Sequence, residues 1–518
     1  MSSTEIVRDL GAIAAALGVL AYLLPPPPGV SQALSRTAGL GLMGLGWVLL
    51  LGSLVPGDDW SAFADDLASP ARLAAAVAGV AIVAGIAWLA LRAVRRHPVA
   101  WFVLLALALP FRVPVSLGSQ DANLLVPLYL VIGLGLLFWA TERLAGRLGE
   151  APATPIDLPL ALFVAFILAS SLWSADPSEA AVKAVFFYLP FVVLFRLVVA
   201  LWPTAGALRA LGVTTVALAV PMAAFAVFQY ATRSSIYWND TLQQANVYSR
   251  FFRVNSFFFD PNILGRYLML ALLAAVAIAW LSNDPRVLGA LGAAAVIMTA
   301  GLWVTFSRSS ALGLGLGLAL LAWRAFGARR TLAVGGVLLA LFAVGAFAAS
   351  DNVRRAATST ERLDQVSEGR FGLVEGGLEI WRDDPIAGAG LGAFGDRFEE
   401  TLPEAERRRI RVVVSHNTPV TVLSESGIVG FALFLVLGVA TALAIARGSR
   451  VGGPDGWAQW TLLAMLAAIA VHSVLYAAFF EDPFTWVVAG AALAIGAAHR
   501  APVGAAEPED GPRTAPAT

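Results

Sequence analysis

Cysteine is absent from this chain, and lysine occurs once, as Lys183. Without thiols there is no disulfide, no thiolate metal site and no cysteine nucleophile. Histidine is scarce, with four residues, so proton transfer must fall to those four or to carboxylates. Net charge is missing as well: 35 basic side chains balance 35 acidic ones over 518 residues. That removes any global field for nucleic acid or an acidic partner, and any electrostatic function must be local. Charged residues make up only 14% of the chain, against roughly 25% in an ordinary soluble domain.

What is there is apolar. Hydrophobic residues reach 58% and mean hydropathy is +0.75, which places the chain in a lipid bilayer. A helix crossing the hydrocarbon core needs about 20 mostly apolar residues. Runs of that kind have cores near 10–24, 40–55, 73–91, 100–111, 124–140, 158–173, 182–200 and 208–230. Others lie near 263–281, 287–306, 312–326, 332–349, 428–446, 457–476 and 484–498. The expected fold is therefore all-α: a polytopic membrane helical bundle of about 12–15 transmembrane helices. The first run leads into Pro25–Pro28 rather than a small-residue cleavage site, so no cleavable signal peptide is expected.

Composition divides the chain into N-terminal membrane helices (1–122), a membrane core (123–349), a long loop (350–427), C-terminal membrane helices (428–499) and a Pro/Ala/Gly-rich tail (500–518). Arginines in short loops belong on the cytoplasmic side. Four clusters meet that description: Arg92, Arg95 and Arg96; Arg143 and Arg147; Arg324, Arg329 and Arg330; Arg447 and Arg450. They agree with one orientation, which puts the tail in the cytoplasm as a disordered segment. The same orientation sends 231–261, the turn around Arg308 and the segment 350–427 outside, together with Asp58, Asp59, Asp65 and Asp66. The long loop is expected to be partly helical, since Phe371, Val374, Leu378 and Trp381 make an apolar stripe suited to a membrane surface. Its arginines, among them Arg354, Arg355, Arg362, Arg370, Arg382 and the run Arg407, Arg408, Arg409 and Arg411, point to an anionic partner.

Three external corners share one design. In 253–262, Asp260 is a natural N-cap and Pro261 suits the first helical position. In 306–310, Ser309 or Ser310 can cap the next helix. In 415–419, Thr418 is the expected cap, with Pro419 at the first position. Each corner sets an Arg or His beside a helix N-terminus, where unpaired N–H groups and the dipole favour anions. Arginine adds a planar fork matched to phosphate oxygens. Arg308 is the sharpest case, because a cation in a short external turn runs against the positive-inside trend; the alternative is that it snorkels to headgroups or pairs with a carboxylate such as Asp260. Arg253 opens the first corner, and Arg250 is its neighbour. Among the histidines, His416 is placed to move a proton near neutral pH. His97 and His499 sit at the cytoplasmic end, and His472 reads as a core histidine bonded to another helix. Gly313, Gly315 and Gly317 are expected to allow close helix packing. Gly388, Gly390 and Gly392 lack the strand and lysine of a nucleotide loop and are expected to shape a tight external turn.

His416-Asn417, nine further residues and then Gly427-Ile428-Val429-Gly430 form a pattern that resembles the signature of the O-antigen ligase and polymerase superfamily. The 253–262 segment, the Ser307-Arg308-Ser309 turn and the stretch 385–392 also look like recurring elements of that family. The likeness runs in order over roughly 158–436. Ser256 and Leu433 depart from it, where the family commonly has glycine and a small or β-branched residue. The resemblance implies a GT-C-like glycosyltransferase that acts outside the cytoplasm of the cell (inner) membrane. It also implies a polyprenyl-pyrophosphate-linked glycan as donor and a glycan, lipid or protein as acceptor. Arg253 and Arg308 would neutralise the donor pyrophosphate and His416 would assist the acceptor hydroxyl, with no metal or cofactor. Arg250, Asn262, Asn417, Arg370 and Arg382 are the further substrate-binding candidates. Three rival readings stay open: a polymerase of lipid-linked repeat units, a metal-dependent transferase using Asp58 and Asp59, and a lipid-linked sugar transporter.

Overall fold

The computed structural model of the protein describes residues 2–55, 69–117, 120–204, 206–234, 242–243, 246–247, 252–337, 370–402, 415–450, 452–476 and 478–498. Arg250, the four loop aspartates, Arg354, Arg355, Arg362, the arginines of 407–411, most of the 332–349 run and the tail lie outside them.

The helices in order are α1 (Ser3–Leu23), α2 (Gln32–Ser53), α3 (Pro70–Arg96), α4 (Val99–Ala108), α5 (Val126–Leu144), α6 (Asp157–Ala169), α7 (Pro177–Lys183), α8 (Leu189–Leu201) and α9 (Ala207–Thr232). They continue with α10 (Pro261–Leu281), α11 (Pro285–Val304), α12 (Arg308–Phe326), α13 (Arg370–Asp383), α14 (Phe394–Thr401), α15 (Thr418–Gly448), α16 (Gly453–Leu475) and α17 (Pro483–Ala498). Among the described residues, eleven spans are long and apolar enough to cross a membrane, and three shorter apolar helices accompany them. The fold is thus a polytopic all-α membrane bundle, with one small addition. Between α4 and α5, β1 (Val113–Leu117) and β2 (Gln120–Leu124) pair antiparallel, Val113 opposite Leu124 and Leu117 opposite Gln120.

One apolar core runs from Ala12 to Ile495. Small residues let helices approach closely in the absence of a hydrophobic drive between them. A Cβ at Gly18 or Gly39 would run into the backbone of Met43 or Tyr22, so α1 and α2 pack backbone to backbone. Gly313 and Gly317 of α12 sit likewise against Met269 and Leu273, whereas Gly315 faces open space.

The bundle has two distinct polar ends. At one, Glu142 accepts from Arg95 (2.9 Å) and Arg147 (2.6 and 2.9 Å), and Glu150 accepts from Arg143 (2.6 Å) and Arg36 (3.3 Å). Arg196 of α8 pairs with Asp157 of α6 there at 3.2 Å. Following α6, α8, α12 and α15 from that end leads to the other, where the three corners gather.

Candidate active site

Each corner contains one non-glycine residue in the left-handed region: Ser256 (φ 51°), Phe306 (φ 52°) and His416 (φ 53°). Such residues cost of order 1–3 kcal/mol each and persist only where their surroundings over-determine them. Ser256 occupies a place where glycine would be at ease. It is held instead by its Oγ donating to Met222 O (2.9 Å) and its N–H donating to Gln229 Oε1 (2.8 Å).

The left-handed residue also moves the caps. Asp260 does cap α10, accepting from Asn262 N, with Pro261 first. In the other two corners the cap is the residue directly after the left-handed turn: Ser307 rather than Ser309 or Ser310, and Asn417 rather than Thr418. Asn417 Oδ1 accepts from Val420 N at 3.1 Å, so this side-chain oxygen is committed to the helix start. Pro419 is consequently the second helical residue.

Arg253 ties the first corner to the second. Its Nε donates to Thr305 O (3.1 Å) and its Nη2 to Asn262 Oδ1 (3.1 Å), while Asn246 brackets its backbone from both sides. Arg308, three residues beyond Thr305, is the first residue of α12 and is exposed. The third corner lies close by. His416 is half-buried, and burial followed by the charge of Arg370 hold its pKa below the usual imidazole value, with Asp260 opposing. Its ring is 5.8 Å from that of Tyr476. Burial, then Asp260, push the Tyr476 phenol up, and Arg253 is near enough to pull the other way. Arg253, Arg308, Asn262, Arg370, His416 and Asn417 therefore share one end of the bundle. Arg382 is exposed in the last turn of α13, the helix that Arg370 opens.

Behind His416 opens a cavity of about 190 Å³ lined by Glu179, Lys183, Phe187, His416, Tyr476, Ala478 and Glu481. Lys183, 3% exposed, donates to Glu425 at 3.0 Å. Burial raises the pKa of Glu481, with Lys183 the main opposing charge. This carboxylate-rich side was missed in the sequence, although Lys183 and Glu425 both adjoin apolar runs, where an ionisable residue is a functional candidate by default. Beneath Tyr476 a second buried network holds the floor. Arg266, 2% exposed, donates to His472 Nδ1 (3.2 Å from Nε), to Ala478 O (2.9 Å) and to Asp482. His472 is the core histidine its sequence context implies.

Local backbone explains how these groups are aimed. Pro190 has no N–H for the carbonyl of Phe186, and the chain makes a π turn over 184–188 directly after Lys183. The loosened carbonyls find side chains instead: Phe186 O accepts from Tyr129 Oη (2.8 Å) and Val185 O from Trp47 Nε1 (3.0 Å). α15 is broken at Gly427 (φ 60°, ψ −166°). The two bonds an unbroken helix would make there, from Ile428 N and Val429 N to the carbonyls of Ser424 and Glu425, are opened. The glycine turn fills the gap: Ala389 N and Gly390 N donate to Ser424 O (3.0 Å) and Glu425 O (2.8 Å), while Ile428 N and Val429 N donate to Pro385 O (2.9 Å) and Ile386 O (3.2 Å). Side chains at Gly388 and Gly390 would strike the backbone of Ser426 and Ser174. The turn is thus a backbone plug that fixes Glu425 beside Lys183.

α13 keeps its apolar stripe at the surface and packs inward through small residues. Phe371 is exposed and Val374, Leu378 and Trp381 are half-buried, whereas Gly376, Gly377 and Ile380 are the buried side. A Cβ on Gly376 or Gly377 would meet Phe398 or Val420, so these glycines allow α13 to approach α14 and α15 closely.

Residues 293–435, from α11 into α15, match the family model described as O-antigen ligase. Over that segment the chain is similar to the O-antigen ligases. The matched stretch contains the Arg308 and His416 corners, the glycine plug and the Gly427 break; the Arg253 corner precedes it. The match supports an O-antigen ligase-like function in general terms. No curated protein matches the sequence significantly.

Proposed function

We propose that this O-antigen ligase-like protein transfers a glycan from a polyprenyl-pyrophosphate carrier to an acceptor hydroxyl, at the bundle end that bears His416. The observation that carries this reading is the uneven distribution of charge about His416. Arg253, Arg308 and Arg370 belong to the corners and loop, with Asp260 the carboxylate in their midst, while Glu179, Glu425 and Glu481 surround the one lysine.

The donor diphosphate belongs on the arginine side, where cations stabilise charge as it develops on the leaving group. The acceptor hydroxyl belongs at His416, whose lowered pKa keeps the imidazole neutral and able to take a proton. In the step, the acceptor oxygen bonds to the anomeric carbon, the bond from that carbon to the pyrophosphate oxygen breaks, and the hydroxyl proton passes to His416. The pyrophosphate departs with the electron pair, so cations suffice and no metal enters the scheme. The arginine-rich short loops lie at the opposite end, which supports an extracytoplasmic site in the cell membrane. A GT-C-like layout and a loop acting as a cover over the site accord with it. A polymerase of lipid-linked repeats uses the same donor and differs only in acceptor.

The test is complementation of an inactivated strain, with surface glycans sized on a gel and membrane levels of each variant checked by immunoblot. Arg308→Ala and His416→Ala abolish transfer, and Arg308→Lys is poor because a point charge lacks the bidentate fork. Loss of all attached polymer in the null strain identifies a ligase; a single attached repeat identifies a polymerase. Wild-type profiles from both alanine variants would sink the proposal.

A further inference from the structure

The short-loop arginine clusters gather at the end of the bundle away from His416, yet they fare differently. Arg95, Arg143 and Arg147 lie against Glu142 and Glu150. Arg324, in the last turn of α12, and Arg450, just past α15, pair with no carboxylate among the described residues. Both line one open cavity of about 450 Å³, completed by Ala446, Ser449 and Trp460. The C-terminal dipoles of α12 and α15 favour a cation each. They do not account for two guanidinium groups on separate helices bordering a shared space, where like charges repel.

Aromatic rings mark the level of this cavity. Trp460 Nε1 donates to Leu320 O at 2.7 Å, and Trp323, half-exposed, meets Trp460 edge to face at 6.4 Å. Trp280 stacks on Trp457 at 5.1 Å and takes the edge of Phe326 at 5.6 Å. Girdles of this composition sit at the headgroup level of a bilayer. Basic pockets between membrane helices at that level suit lipid phosphates.

We propose that the cavity between the C-terminal ends of α12 and α15 binds the phosphate headgroup of an anionic glycerophospholipid, with Arg324 and Arg450 sharing its oxygens. The lipid is the source rather than a soluble anion, because the walls are Trp460 and Ala446 and the site lies at the aromatic girdle. Ser449 Oγ already donates to Ala446 O at 2.9 Å, so recognition rests on the two arginines. A zwitterionic headgroup carries its own cation into the same space and is disfavoured there.

The full chain, purified in detergent and delipidated, is offered phosphatidylglycerol, cardiolipin, phosphatidylethanolamine or inorganic phosphate. Retained adducts are read by native mass spectrometry and stability by thermal melting. Wild type retains the anionic lipids in preference to phosphatidylethanolamine and is stabilised by them but not by inorganic phosphate. Arg324→Gln with Arg450→Gln loses roughly tenfold or more in retention, while Arg324→Lys with Arg450→Lys keeps most of it. Arg95→Gln with Arg147→Gln, at the neutralised clusters, leaves retention unchanged. Equal retention by the Gln pair, equal retention of phosphatidylethanolamine, or stabilisation by inorganic phosphate alone would each overturn the assignment. Should the Gln pair fail to fold, Arg450→Gln alone is read in the same way.

Discussion

At the basic end of the bundle, the arginines of the N-terminal half lie against Glu142, Glu150 and Asp157 in alternating signs, whereas around His416 the signs are drawn apart. There the corner arginines outnumber their one carboxylate, Asp260, and three glutamates share a single lysine. Charges that merely hold helices together are neutralised by their neighbours. An excess of cations beside a histidine, with an excess of carboxylates behind it, suits a ligand with a negative leaving group and a proton to give up. The contrast extends to the backbone, since the left-handed residues of the three corners, the π turn and the break in α15 all lie toward the His416 end.

The largest expected effect tests whether the carboxylate side depends on its lone cation. Lys183→Met strands Glu425 in the interior and costs about 3–5 kcal/mol, the range for breaking a buried ion pair from one side. Melting of the purified protein should fall steeply, and Lys183→Met with Glu425→Leu should recover part of it, since Glu179 and Glu481 also lose their shared cation. If the single variant melts like wild type, the pair is dispensable and the two ends are alike. Arg147→Gln at the basic end serves as the counterpart. Its side chain is 59% exposed and Arg95 still reaches Glu142, so the melt should barely move, as for most exposed pairs.

A smaller effect belongs to the backbone plug. Gly390→Ala adds a Cβ against Ser174 at a φ of 97°, and should destabilise by more than about 1 kcal/mol with loss of transfer. Gly315→Ala, in open space within α12, should be neutral or stabilise by up to about 1 kcal/mol. Equal melting of the two variants would show that the plug does not hold the break.

Much of this was legible locally and little of it at a distance. Asp260-Pro261 announces a helix start because cap and proline act within a few residues. The caps at Ser307 and Asn417 were misjudged because the preceding residue turns left-handed, which no side chain at Phe306 or His416 advertises. Apolar run length gave the bundle, while the hairpin over 113–124 offers only the short alternation of Val113, Val115 and Leu117. The Lys183–Glu425 pair joins residues 242 positions apart, and no local pattern links them. Gly388, Gly390 and Gly392 could be read as a turn; that they close the broken backbone of α15 follows only once Gly427 is seen to interrupt it.

The subtlest prediction separates proton transfer from mere packing at His416. The imidazole must be neutral to accept the acceptor proton, and burial with the charge of Arg370 keeps its pKa below the ordinary value, so the acid limb of the rate profile lies below pH 6.5. Arg370→Gln removes a charge that disfavours the imidazolium; the pKa rises, and the limb moves to higher pH. Asp260→Asn removes a charge that favours the imidazolium; the pKa falls, and the limb moves to lower pH. An asparagine at 260 still offers an oxygen to Asn262 N, so the α10 cap survives. Transfer measured against pH in membranes of the two variants should therefore shift in opposite directions from wild type. Limbs that stay together, or move the same way, would mean that His416 does not carry the titrating proton and holds its corner for structural reasons alone.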